Sequence, residues 1–206
     1  MFRDRLDAGQ QLAWRLRHLQ GAKPVVLGIL RGGVPVAFEV ARHLDGTLGM
    51  IWVKKIGAPG NPEYALGAMT DQKEIVWSDL TPTDEDYVRQ VVRRRERELE
   101  DWRSRFGFAT PLDVCLDRVV VVVDDGIATG SSMKAALRRV RAFRPSRLVA
   151  AVPVAPVEAL ESVKEEADEV VALLTPSNFY AVGGYYHDFR PVNDEDVAAY
   201  FGHSAP

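Results

Sequence analysis

Val119-Val120-Val121-Val122-Val123-Asp124-Asp125-Gly126-Ile127-Ala128-Thr129-Gly130-Ser131-Ser132 decides how this chain folds. Five consecutive β-branched apolar residues read as a strand buried on both faces, the habit of a parallel sheet. Two carboxylates stand at its carboxyl end, and a short glycine-containing loop with three hydroxyls follows. The next residues, Met133-Lys134-Ala135-Ala136-Leu137-Arg138-Arg139-Val140, are helix-prone. Strand, loop and helix start together make an anion site, because the first N–H groups of a helix lack internal partners and its dipole favours negative charge. Asp124 and Asp125 would repel that anion. Their chemistry suits sugar hydroxyls or a Mg²⁺ ion beside it. The loop has neither the Gly-Lys-Ser/Thr of a Walker P-loop nor the Gly-x-Gly-x-x-Gly of a dinucleotide turn.

Outward from this run, short apolar stretches alternate with amphipathic ones. Leu6, Leu12, Trp14, Leu16 and Leu19 predict an opening helix ending near Gly21. Residues 24–30 read as a buried strand, 34–44 as a helix and 48–56 as a second strand. The glycines and prolines of 57–67 predict a long loop, and Ile75-Val76-Trp77 a short, hairpin-paired strand. A charged segment at 84–106 carries Val88, Val92, Leu99, Trp102 and Phe106 at helical spacing. Strands at 148–152 and 170–174 enclose a helix at 156–166. This alternation predicts an α/β fold: a mainly parallel sheet flanked by helices, with ligands at the carboxyl ends of the strands. The length of 206 residues suits one domain.

Lys and Arg number 26 against 29 Asp and Glu, a near-neutral balance that argues against general nucleic-acid binding. The Arg93-Arg94-Arg95-Glu96-Arg97 cluster fits a solvated helix face, with Glu85–Arg89, Arg94–Glu98 and Arg97–Asp101 spaced for ion pairs worth about 0.2–0.5 kcal/mol each. The single cysteine, Cys115, reads as a small buried hydrophobe in a reducing compartment. No stretch is apolar enough to span a membrane, and Met1-Phe2-Arg3-Asp4-Arg5 lacks a signal-peptide core, so a cytoplasmic protein with no membrane partner is expected.

An apolar run, two acids and a loop ending Thr-Gly-x-Ser/Thr resembles the 5-phosphoribosyl 1-diphosphate (PRPP) signature of type I phosphoribosyltransferases. The resemblance covers the whole chain. It implies that family's fold, with a C-terminal hood at about 175–206, a flexible loop at about 54–67 and an inserted charged helix at about 84–106. It further implies Mg²⁺-dependent transfer of a 5-phosphoribosyl group to a nitrogen heterocycle, with release of diphosphate. Gly126, Ile127, Ala128, Thr129, Gly130, Ser131 and Ser132 would bind PRPP, the last four at its 5-phosphate. Asp124 and Asp125 would hold the ribose diol, directly or through Mg²⁺. The turn Leu30-Arg31-Gly32-Gly33 is similar to the family's diphosphate loop, which often has a cis peptide before its basic residue. Arg31, Gly32 and Gly33, with Lys54 or Lys55, would then hold the leaving group where negative charge accumulates. The loop Lys54–Gly67 would close over PRPP and exclude water from an oxocarbenium-like ribosyl ring. Thr175-Pro176-Ser177-Asn178-Phe179-Tyr180-Ala181-Val182-Gly183 through Asp188-Phe189 is similar to the base-binding hood of hypoxanthine-guanine members. Phe179 would stack on a base, backbone near Val182 would read its edge, and Asp188 would sit near a metal. A homodimer is implied by the resemblance alone.

Three positions depart from the family's pattern. Ala128 stands where hypoxanthine-guanine enzymes have the acid that serves as base, leaving Glu63 and Asp188 as candidates. No lysine follows Val171-Ala172-Leu173-Leu174 to read a 6-oxo group. The 84–106 helix has no counterpart in small members. A purine-like acceptor is the leading expectation; the rivals are a PRPP- or nucleotide-sensing regulator without turnover, and hydrolysis or phosphorolysis of nucleotides.

Overall fold

The structure, a computed structural model, describes residues 1–77, 84–106 and 110–202, with the side chains of 61–65, 105 and 106 outside the description. In chain order its elements are α1 (Arg5–Arg15), β1 (Val25–Ile29), α2 (Gly33–Leu44), β2 (Thr47–Ile51), β3 (Val53–Ala58), β4 (Asn61–Thr70), β5 (Ile75–Trp77) and α3 (Glu85–Phe106). Then come β6 (Val119–Val123), α4 (Ser131–Arg141), β7 (Arg147–Val154), α5 (Val157–Lys164), β8 (Glu169–Leu174) and α6 (Asp194–Gly202).

The valine run is the middle strand of a five-stranded sheet ordered β2-β1-β6-β7-β8, every pairing parallel. Its alternate residues serve opposite faces. Val121 and Val123 pack with Leu12 of α1, Leu16 just after it, and Val36 and Val40 of α2. Val120 and Val122 pack with Met133, Leu137, Val140 and Leu160 of α4 and α5. The chain runs outward from β1 to β2, and from β6 in the other direction to β7 and β8. Connections therefore diverge between β1 and β6, leaving a crevice at their carboxyl ends where such sheets take ligands.

A second sheet, β3-β4-β5, is antiparallel. Two sequence expectations are corrected here. Residues 48–56 are not one strand: Trp52, 2% exposed, separates β2 from β3, and the chain passes from one sheet into the other. Residues 57–67 are not a loop but largely the two arms of a hairpin, with register shifts on either side of Gly57. Of its glycines, Gly60 occupies the turn at φ +73°. Gly67 instead allows close strand approach, since a Cβ there would lie 2.7 Å from the Val76 carbonyl. Val53, Ala68 and Val76 join the apolar cluster of Met133 and Leu137, so the hairpin sheet packs on α4. Arg139 of α4 secures it, donating through Nε to Asp71 Oδ1 at 3.0 Å with 9% of its side chain exposed.

In α1 the buried face is Ala8, Leu12 and Ala13, continued by Leu16 just beyond the helix. Trp14, expected among the apolar contacts, is 62% exposed and stacks with Arg17 instead. Glu85–Arg89 and Arg94–Glu98 form as spaced. Cys115 is buried, and burial pushes its thiol up to about 11, which leaves it unreactive. No described helix is long and apolar enough to cross a membrane.

Candidate active site

At the carboxyl end of β6 the chain turns through Gly130, at φ +83°, into α4. No side chain caps that helix start, so its first N–H groups are available to a ligand. Thr129 Oγ1 and Ser131 Oγ lie 3.3 Å apart beside them. The whole stretch 124–132 lines a cleft of about 500 Å³, together with Lys55, Tyr180, Val182 and Phe189. That volume is ordinary for a small-molecule site.

Asp124 and Asp125 share the cleft wall. Burial raises the pKa of both, Asp124 well above the usual carboxylate range with added repulsion from Asp125; on Asp125 the Arg5 guanidinium works the other way. Arg5 Nε donates to Asp125 Oδ2 at 2.8 Å, the two side chains being 11% and 14% exposed. The Tyr186 hydroxyl donates to the Asp125 carbonyl at 2.5 Å. Burial, ahead of the Asp125 charge, pushes that phenol upward, which keeps it a neutral donor.

The turn after β1 meets the acids from the neighbouring strand. A Cβ on Gly32 would collide with Asp125 Oδ2, and one on Gly33 would fall 2.5 Å from the Val123 carbonyl. Only glycine permits this approach. The Leu30–Arg31 peptide is cis. Arg31 itself points elsewhere, with Nη1 3.2 Å from Asp194 Oδ1 at the start of α6. It lines a second cavity of about 360 Å³ with Lys54, Arg95, Trp52 and Trp102. Burial, then the Arg31 charge, lowers the Lys54 ammonium below its ordinary value. Lys54 and Lys55 are consecutive on β3, and strand alternation sends them to different cavities.

The hood is built from both ends of the sequence. Phe2 forms a parallel bridge with Tyr186, and Phe2, Tyr186 and Phe189 pack together. Val182 fills the space above Gly126, where a Cβ would lie 2.5 Å from Val182 Cγ1. Phe179 stacks on Tyr185, centroids 5.7 Å apart, and faces an adjoining cavity bordered by Ala128 and Thr129. Asp188 does not line the acid cleft. Arg190 grips its carboxylate at 2.6 Å and lowers its pKa. Glu63 lies on β4 with its side chain outside the described residues.

The expected metal trio of Asp124, Asp125 and Asp188 is therefore corrected: among the described residues no three such side chains converge on one point, because Asp188 turns to Arg190. Asp124 and Asp125 alone still match Mg²⁺, which takes one or two carboxylates and completes its shell with phosphate oxygens and water. Arg5, Tyr186 and the 96%-exposed Tyr180 on the rim were not visible as site residues in the sequence. Arg5 and Asp125 lie 120 positions apart, and no periodicity marks such a pair.

Comparison with known proteins agrees with this geometry. The phosphoribosyl transferase domain family matches residues 4–190. A putative phosphoribosyl transferase of Mycobacterium tuberculosis is 42% identical over 204 residues, covering 97% of this chain and 46% of that protein. The chain thus spans about half the length of the curated relatives it matches. The crystal structure of TT1426 from Thermus thermophilus superposes with a TM-score of 0.78 at 47% identity, covering 100% of this chain and 99% of the other. A Neisseria gonorrhoeae protein, 14% identical with a TM-score of 0.54, shares the fold over 99% of this chain and 97% of its own. A five-stranded parallel sheet with two acids and a phosphate-type loop at its switch point, and a family match across most of the length, place this chain in the phosphoribosyl transferase domain family.

Proposed function

We propose that the protein transfers a 5-phosphoribosyl group from PRPP to a nitrogen heterocycle, a purine-like base being favoured, and releases diphosphate. The observation that carries this reading is the placement of two carboxylates and an uncapped helix start on one cleft. The 5-phosphate would accept hydrogen bonds from the N–H groups and hydroxyls of Thr129, Gly130, Ser131 and Ser132. Asp124 and Asp125 would accept from the ribose hydroxyls and hold Mg²⁺, which would neutralise charge on the diphosphate. The bond from ribose C1 to the diphosphate oxygen breaks, the electron pair leaves with diphosphate, C1 bonds to the acceptor nitrogen, and the proton on that nitrogen passes to the departing diphosphate or to water. No covalent enzyme intermediate is required.

Lys55 is the basic residue that lines the cleft, whereas Arg31 and Lys54 line a different cavity. The hood backbone at Val182 and the rim ring of Tyr180 are the surfaces offered to the acceptor. Diphosphate release from PRPP across purines, pyrimidines and other nitrogen heterocycles tests the reaction. Release with one class identifies the acceptor; PRPP binding without release from any would mark a sensor. Asp124→Asn with Asp125→Asn is expected to abolish Mg²⁺-dependent PRPP binding in calorimetry, and unchanged binding would refute the assignment.

A further inference from the structure

We infer that Arg5 is a positioning residue for the pentose subsite and couples its occupation to the hood; this rests on the phosphoribosyl reading above. Arg5 reaches three segments at once. Its Nε donates to Asp125 Oδ2 at 2.8 Å, its Nη1 donates to the Arg190 carbonyl at 2.9 Å, and its guanidinium lies 3.9 Å from the centre of the Phe189 ring. A planar five-donor group can satisfy these directions together, whereas an ammonium cannot.

The base of Arg5 is fixed as well. Asp4 Oδ1 accepts from the Asp7 N–H at 2.8 Å and caps α1, so Arg5 enters on a rigid first turn. Arg5 does not line the acid cleft; it borders a separate cavity with Asp4, Pro35, Arg190 and Tyr200. It therefore acts on a ligand through Asp125. With Oδ2 held from behind, the carboxylate keeps one rotamer and its other oxygen is left for the sugar. Phe189 and the Tyr186 hydroxyl, at the Asp125 carbonyl, belong to the hood. A ligand that pulls on Asp125 thus pulls on Arg5, and through it on the hood.

The test is PRPP titration with Mg²⁺ into wild type, Arg5→Met and Arg5→Lys, with amide hydrogen exchange over residues 182–189 and thermal melts. We expect Arg5→Met to weaken PRPP binding by ~10-fold or more, the size of one charge-assisted hydrogen bond. It should also lose the slowing of hood exchange that PRPP produces in wild type. Arg5→Lys should recover much of the affinity, because it keeps the charge at Asp125, but not the hood protection. Arg5→Met with wild-type affinity and protection, even at a lower melting temperature, overturns the role and leaves a structural ion pair only. Should Arg5→Met not fold, Arg5→Lys decides alone: retained affinity with lost protection supports the coupling, and identity with wild type overturns it. If wild type itself binds no PRPP, the phosphoribosyl reading falls and this role with it, an outcome distinct from wild-type binding that Arg5→Met leaves unchanged.

Discussion

The cleft at the end of β6 and the cavity lined by Leu30 and Arg31 differ in chemistry. One carries Asp124, Asp125, three hydroxyls and an uncapped helix start, with Lys55 as its cation. The other has Arg31, Lys54 and Arg95 over Trp52 and Trp102, countered by Glu98, Asp101 and Asp194. The Leu30–Gly33 turn serves both, since Arg31 lines the second while Gly32 presses on Asp125 of the first. Consecutive charged residues thus need not share a task. A strand delivers neighbours to opposite sides, so Lys55 lines the cleft of the two aspartates and Lys54 a cavity of mixed charge.

The largest break in this arrangement is expected from Gly32→Ala. Its methyl would occupy the place of Asp125 Oδ2. Displacing that carboxylate should weaken PRPP binding on the order of 10²-fold, and overpacking should cost about 1–3 kcal/mol of stability. Calorimetry and urea unfolding read the two effects; wild-type affinity would show that Asp125 position is unimportant.

A smaller pair of effects separates the lysines. Lys55→Met should weaken ribose 5-phosphate binding by ~10-fold and spare diphosphate, and Lys54→Met should do the reverse. Both titrations use the ligands singly. If either variant weakens both ligands equally, the two cavities act as one.

Protons give a finer reading. Lys54 is held below its ordinary value near 10.5 by burial and by Arg31. An anion beside it would favour the ammonium and raise that value again. Diphosphate binding at alkaline pH should therefore take up protons, visible as a buffer-dependent heat, and Lys54→Met should remove the uptake. In the absence of anion, the unfolded chain binds this proton more tightly than the folded one. The Lys54 contribution to stability then rises with pH through the window from its lowered value to 10.5.

The smallest effect on binding is expected at Arg139→Met. It breaks the pair with Asp71 that joins α4 to the hairpin sheet, and should cost roughly 1–3 kcal/mol in urea unfolding. Ribose 5-phosphate affinity should be unchanged, because α4 keeps its seat on the parallel sheet. A large affinity loss would mean that the hairpin sheet, as well as the core, sets the helix start.

How much of this was legible in the sequence follows physical rules. Val119–Val123 announced a central parallel strand because both its faces are buried, and the acids and loop behind it fell where the sheet order reverses. The helix at 85–106 was legible from its period. The β3–β4 hairpin was hidden because glycine and proline signal turns, while only Gly60 supplies one and Gly67 serves strand approach. The roles of Phe179 and Asp188 depend on partners close in sequence, Tyr185 and Arg190, which motif matching ignores. Arg5 was beyond reach for the opposite reason, its partner being distant.

The first described residues are tied to the hood through their main chain. Phe2 N–H donates to the Tyr185 carbonyl at 2.8 Å, the Phe2 carbonyl accepts from His187 N–H at 2.9 Å, and the Arg3 carbonyl accepts from Asp188 N–H at 2.9 Å. Three main-chain bonds make the leading segment ride with the hood. A fluorophore attached at Met1, 71% exposed, would therefore report hood displacement optically from the far end of the sequence, without a label in the cleft.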